Sequence, residues 1–210
     1  MARMRGIVGI EAAIVLIAFV LVASALAFVA INMGMFASQK SKEVMAKAYE
    51  SSTRALDIAG DAIAKVDTAT STVTMVYVPI KLTAGTSPID LSKTVVSLLI
   101  QRPDAADKAI ANAIPTPPTA LTTLTDLGAT GTINSYEAKW FISLGDTNTL
   151  LEPGELAILA INVTDTTAGG LPAYSAVQVE IKPPVGAPLV VKYQIPPVLT
   201  SDYIDLVVGG

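Results

Sequence analysis

Between Ala12 and Gln39 the chain carries no charge, and from Ile7 to Ile31 it reads IVGIEAAIVLIAFVLVASALAFVAI. A helix of that length, rising ~1.5 Å per residue, exceeds the ~30 Å hydrocarbon core of a bilayer. The run is apolar on every side rather than along one stripe, so it needs lipid or a surrounding ring of protein. Arg3 and Arg5 precede it and a much larger acidic region follows, which predicts a cytoplasmic amino end.

Beyond Gln39 the pattern turns polar without a break. QKSKEVMAKAYESSTRALDIAGDAIAKV is rich in helix formers and contains no proline. Met45, Tyr49, Ser52, Leu56, Ala59, Ile63 and Val66 alternate steps of four and three, which places them on one seam of a helix. The expectation is a single helix from about Ile7 to Val66, ~90 Å long at ~1.5 Å per residue, with Asn32, Gly34 and Gly60 as points of bending. Ser and Ala among the seam positions make a weak zipper, so the seam is expected to pack within its own chain.

From Thr68 the period changes. Short β-rich runs are separated by clusters of Pro, Gly, Asp and Thr: Ser71–Leu82, Lys93–Gln101, Asn134–Leu144, Gly154–Val163, Ser175–Lys182, Pro188–Ile195 and Asp202–Val208. Their number and spacing predict an antiparallel immunoglobulin-like β-sandwich over residues 67–210. The fold class is therefore α+β, a long N-terminal hydrophobic helix followed by that outer domain. Asp104 to Ile114 reads as a short helix, and the Pro- and Thr-rich residues after it as a surface loop. Pro79 and Pro183-Pro184 are expected near strand ends, where they discourage edge-to-edge pairing.

Composition removes most chemistry. There is no cysteine and no histidine among 210 residues, which excludes a Cys nucleophile, a Ser-His-Asp triad, a His base, a Cys/His zinc site and disulfides. No phosphate-binding G-x-x-x-x-G-K-S/T loop occurs. A net charge of −4 without a basic cluster, and only 5% aromatic residues, argue against nucleic acid as a partner. Asp146, Glu152 and Glu155 gather near Gly145 and Gly154, but at no calcium-loop spacing, so a solvated turn is expected rather than a metal. The chain does not read as an enzyme, and no cofactor is implied.

The most informative junction is ARMRG before IVGIEAAIVLIAF, two basic residues and a glycine ahead of the apolar helix. A conventional signal peptide, cut near Ala23-Ser24-Ala25 or Ala25-Leu26-Ala27, is one alternative. Against it, the uncharged run continues well past those alanines, whereas such an apolar region normally spans about 7–15 residues. A plain membrane anchor is another, and hydropathy alone leaves it open. The segment Arg3 to Glu43, RGIVGIEAAIVLIAFVLVASALAFVAINMGMFASQKSKE from Arg5 onward, resembles the amino end of archaeal flagellins (archaellins), members of the type IV pilin-like superfamily.

The resemblance implies a class III signal peptide, residues 1–6, removed by a prepilin peptidase that recognises Arg5 and Gly6 and leaves Ile7 as the first mature residue. Gly9 then falls at the third mature position, where a small residue lets the chain approach the peptidase closely. Glu11, the only charge between Arg5 and Lys40, falls at the fifth. It either pairs with the new amino group of Ile7 or complements the helix dipole. The family further implies a secreted, extracellular helical filament, a motility organelle in which copies of this chain, with other archaellins as candidate companions, bury Ile14, Leu16, Phe19, Leu21, Leu26, Phe28, Ile31, Met33 and Phe36 against one another. Its precursor would sit in the cytoplasmic membrane and be extracted by a membrane platform protein and a secretion or motor ATPase. Asn162-Val163-Thr164 is a candidate glycosylation sequon with Asn162 as acceptor. An adhesive archaeal type IV pilin and a membrane-anchored surface binding domain remain as alternative readings.

Overall fold

The computed structural model describes residues 4–53, 55–83, 87–114, 122–123, 133–146 and 148–206. One helix, α1, spans Met4–Thr53 without interruption at Asn32 or Gly34. It is about 75 Å long at ~1.5 Å per residue. The chain divides into two units, residues 1–49 and 50–210.

The expected continuation of the helix to Val66 is not what forms. Leu56–Ile58 is strand β1 and Ala62–Asp67 is strand β2, with Gly60 between them at φ 145°, a conformation open to glycine alone. The same residues satisfy two periods. Ile63 and Val66 fit the helical seam, but Ala62, Ala64 and Val66 alternate as the inward side of a strand. Pairing decides between the two patterns. β1 aligns with the end of β3 (Thr72–Leu82), and β2 is held between the start of β3 and β13 (Tyr203–Leu206). Tertiary contacts outweigh local helix propensity here.

The remaining strands are β4 (Ile89–Asp90), β5 (Val95–Gln101), β6 (Lys108–Ile110), β7 (Thr122–Thr123), β8 (Ala138–Leu144), β9 (Leu150–Leu151), β10 (Leu156–Asn162), β11 (Ala176–Lys182) and β12 (Leu189–Gln194). The main sheet has the order β13-β2-β3-β10-β8-β7, with β1 also on β3. The second sheet is β12-β11-β5-β6, and β4 pairs with β9. All pairs are antiparallel except the short β7–β8 contact. Val76, Val78 and Ile80 of β3 and Leu159 and Ile161 of β10 share one core with Leu98 and Ile100 of β5 and Val177 and Val179 of β11. The two sheets therefore form a sandwich, larger than the seven runs visible in the sequence.

Two further expectations change. Residues 104–114 contain no helix; Lys108–Ile110 pair with Leu98–Ile100 as an edge strand instead. Pro79 lies inside central strand β3 rather than at an edge. It sits where β1 gives way to β2, and its carbonyl accepts from the Ala59 N–H at 2.9 Å. Its missing N–H thus falls where the neighbouring strand is interrupted.

β3 is buried at four consecutive positions, Met75 to Val78, so the main sheet is covered on both faces. Val76 and Val78 face the main core, while Met75 and Tyr77 join Phe141, Ala160 and Ile133 in a second apolar cluster.

Candidate assembly site

Sixteen large apolar side chains from Ile10 to Phe36 are exposed on α1, each between 55% and 76%. They include every apolar assembly residue expected from the sequence, Glu11 being the one polar member of that set: Ile14, Leu16, Phe19, Leu21, Leu26, Phe28, Ile31, Met33 and Phe36. Full burial of one such side chain is worth about 1.5–3 kcal/mol, so at roughly two-thirds exposure the set leaves about 15–30 kcal/mol of burial unrealised in water. That exceeds the ~5–15 kcal/mol by which a domain is stable. A bare helix in water is therefore not the working state of this segment. Length and composition suffice for α1 to cross a membrane.

The helix is prepared for a dry environment. Ser24, a hydroxyl within the apolar stretch, donates to the Leu21 carbonyl at 2.9 Å and needs no outside partner. Polar chemistry resumes at Lys40 and Lys47, which bracket Glu43 at 2.9 and 2.8 Å. These exposed i,i+3 and i,i+4 pairs stabilise the helix weakly and mark where the apolar half ends. Arg5, Gly6 and Ile7 lie in the first turns of α1, and Gly9 has open space around its Cα. Glu11 is exposed on the helix surface.

In the outer domain, three side chains pin irregular segments to the sandwich, and none was singled out from the sequence. Arg102 follows β5 with its side chain only 3% exposed. Its guanidinium donates to the carbonyls of Ala168, Gly169 and Gly170 at 3.1, 3.3 and 3.1 Å, and to the Asp104 carboxylate at 3.0 and 3.2 Å. The hydrogen bonds from Arg102 hold the Asp104 carboxyl below its usual range. Asp165 opens the same loop. It accepts from the Tyr136 hydroxyl at 2.5 Å, from the backbone N–H groups of Thr167 and Ala168 at 2.6 and 3.1 Å, and from Lys108 at 3.4 Å. Led by the Tyr136 hydrogen bond, these donors hold the Asp165 carboxyl far below the ordinary carboxylate range. Burial, with the carboxylate beside it, pushes the Tyr136 hydroxyl up to about 12. Lys108 caps the arrangement, its ammonium 4.0 Å from the centre of the Tyr136 ring. Arg102 and its carbonyl partners lie up to 68 residues apart, so no local pattern marks them.

The acidic turn closes on its own backbone. Glu155 accepts from the backbone N–H groups of Asp146 and Glu152 at 3.0 and 2.9 Å, and Asp146 accepts from Asn148 at 3.0 Å. No cluster of metal-ligating side chains occurs among the described residues. Asn162, the candidate glycan acceptor, is 9% exposed at the end of β10.

A helix that must be covered, by lipid or by protein, followed in the chain by a sandwich that folds around its own core, defines the class: a protein anchored or assembled through its amino-terminal helix. A family model described as archaeal-type flagellin matches residues 6–193, and the chain belongs to that family. Probable flagellin 1 of Aeropyrum pernix is 40% identical over 200 residues, covering 93% of this chain and 94% of its own. Probable flagellin 1 of Archaeoglobus fulgidus is 31% identical, covering 94% and 93%. Among solved structures, the archaeal flagellum of Methanospirillum hungatei aligns with a TM-score of 0.63 at 25% identity, over 95% of this chain and 98% of that one. The crystal structure of an archaeal flagellin from Methanocaldococcus jannaschii shares the fold, with a TM-score of 0.57 at 20% identity over 73% of this chain and 96% of that one.

Proposed function

We propose that this chain is trimmed between Gly6 and Ile7 and then polymerises through α1 into the filament of an archaeal flagellum. It is a structural subunit of that extracellular, cell-surface organelle. The observation that carries the reading is the sheath of exposed apolar side chains from Ile10 to Phe36 on a helix followed by a self-sufficient sandwich.

Before assembly, α1 lies in the cytoplasmic membrane with Arg3 and Arg5 anchoring the amino end inside. Removing them takes away that anchor and frees the helix for extraction. Lipid is about as apolar as a helix bundle, so burial alone gives little drive for the exchange, and close packing must supply it. An external engine, a membrane platform protein with a secretion-type ATPase, fits that energy balance, with a prepilin peptidase acting first. In the filament the helices transmit torque or tension, and the sandwich faces the medium.

Intact mass and amino-terminal sequence of the protein isolated from its native cells test the reading. A chain beginning at Ile7 is expected. A start beyond Ala25 would make this a conventionally secreted β-domain, and a retained basic start would make it a membrane anchor; either result overturns the mechanism.

A further inference from the structure

The sequon at Asn162 sits in an unusual place for a modification site. Asn162 is the last residue of β10 and only 9% of it reaches solvent. Its side-chain amide nitrogen donates to the Ile133 carbonyl at 2.8 Å, in a buried contact spanning 29 residues. Its side-chain oxygen accepts from the Thr164 backbone N–H at 3.0 Å and from the Thr164 hydroxyl. The backbone is equally committed: Asn162 accepts from the Tyr136 N–H and donates to the Glu137 carbonyl, both at 2.9 Å. Both the acceptor amide and the hydroxyl of this sequon are thus engaged inside the fold.

The partner at the far end explains why. Ile133 is 5% exposed and, alone in the second apolar cluster, comes from outside the strands; Met75 and Tyr77 of β3, Phe141 of β8 and Ala160 of β10 make up the remainder. Asn162 therefore ties down the residue that completes the cover of the main sheet's second face. A strand-end asparagine offers both a donor and an acceptor in the geometry of a backbone amide, which an aliphatic side chain cannot do.

We infer that Asn162 is a structural pin for the Ile133–Glu137 segment and that its sequon stays unmodified in the folded subunit. Asn162 and Thr164 line an open cleft with Asp67 and Tyr203, but the amide nitrogen itself is turned to the buried Ile133 carbonyl, so a saccharide on it would crowd that contact. The inference concerns the outer domain alone and does not depend on how the chain polymerises.

Two variants of the full chain separate pin from glycan acceptor, because both destroy the sequon. Asn162→Ala removes the bond to Ile133, whereas Thr164→Ala leaves it in place. Peptide mass spectrometry of the native protein is expected to show residue 162 at its unmodified mass. The thermal midpoint of the outer domain is expected to fall by about 4 °C or more for Asn162→Ala and by less than half as much for Thr164→Ala. Failure of Asn162→Ala to accumulate, with normal yield of Thr164→Ala, supports the pin equally well. A saccharide mass on the native peptide overturns the inference. So does an equal shift for the two variants, or no shift for Asn162→Ala.

Discussion

Replacing Arg102 by alanine takes away a side chain that is 3% exposed and strands the carbonyls of Ala168, Gly169 and Gly170. A buried carbonyl left dry costs about 1–3 kcal/mol. These three belong to a surface turn that water can enter, so the lower figure applies, roughly 3 kcal/mol in all. The half-exposed Asp104 is simply released to solvent and adds little. A domain of this size melts about 2–4 °C lower per kcal/mol, which places the expected fall at about 6–12 °C. Differential scanning calorimetry of the detergent-solubilised subunit measures it. Arg102→Lys keeps the charge but cannot reach three successive carbonyls and Asp104 with one ammonium, so it should recover less than half of the loss. A midpoint within about 2 °C of the parent for Arg102→Ala, or full recovery with lysine, would refute the idea that the guanidinium fork secures this loop.

Asp165 governs acid behaviour. Its folded carboxyl titrates far below the ~3.9 of an unfolded aspartate, so its contribution is fully present above about pH 4 and is lost only as pH falls through the folded value. Asp165→Asn should flatten the dependence of melting temperature on pH below about 4 while leaving the slope above pH 5 unchanged; an unchanged acid slope would count against it. Phe28→Asp puts a charge in the middle of the apolar sheath at a cost of about 2.5–3.5 kcal/mol per inserted helix. Electron microscopy should show no filaments from that variant, although the sandwich keeps its circular dichroism and melting point; normal filaments would exclude the helix as the assembly surface. Gly145→Ala drives a Cβ into the Glu155 side chain at φ 131° and is expected to cost about 1–3 kcal/mol, read as a lower midpoint in urea. An unaltered midpoint would show that the turn around Glu155 adjusts freely.

Much of this fold is legible before any coordinates. Strands β3, β5, β8, β10, β11, β12 and β13 fall within a few residues of the seven β-rich runs because their alternating or continuous apolar patterns are local facts, and the apolar helix announces itself by the absence of charge. The helix end does not, since Leu56, Ile63 and Val66 suit a helical seam as well as a strand, and only the partners β3 and β13 decide. The edge strand at Lys108–Ile110 is missed for the same reason: Ala-rich sequence favours helix until a neighbour offers its edge. Arg102, Tyr136 and Asp165 look like ordinary surface residues one at a time. Their meaning comes from contacts that close long loops, which no windowed reading of the chain can contain. For Asn162 the sequon does draw the eye, but towards a surface role that its burial disfavours.

Arg102, Tyr136 with Asp165, and Asn162 share one property: they secure turns and connections rather than strand interiors. Drift during evolution should follow from it. Ordinarily connections diverge freely while strands hold their composition. Here an outward position on β12, such as Lys192, has little to lose by change, whereas a side chain at Gly169, which has φ 73°, or at Gly170, where a Cβ would meet Thr72 and the Val73 carbonyl, shifts the carbonyls that hold a buried guanidinium. Lineages of this subunit are therefore expected to vary along the faces of their strands and to keep those few connecting residues, so that its antigenic and chemical diversity is written on the sheets and its fold is guarded by its loops.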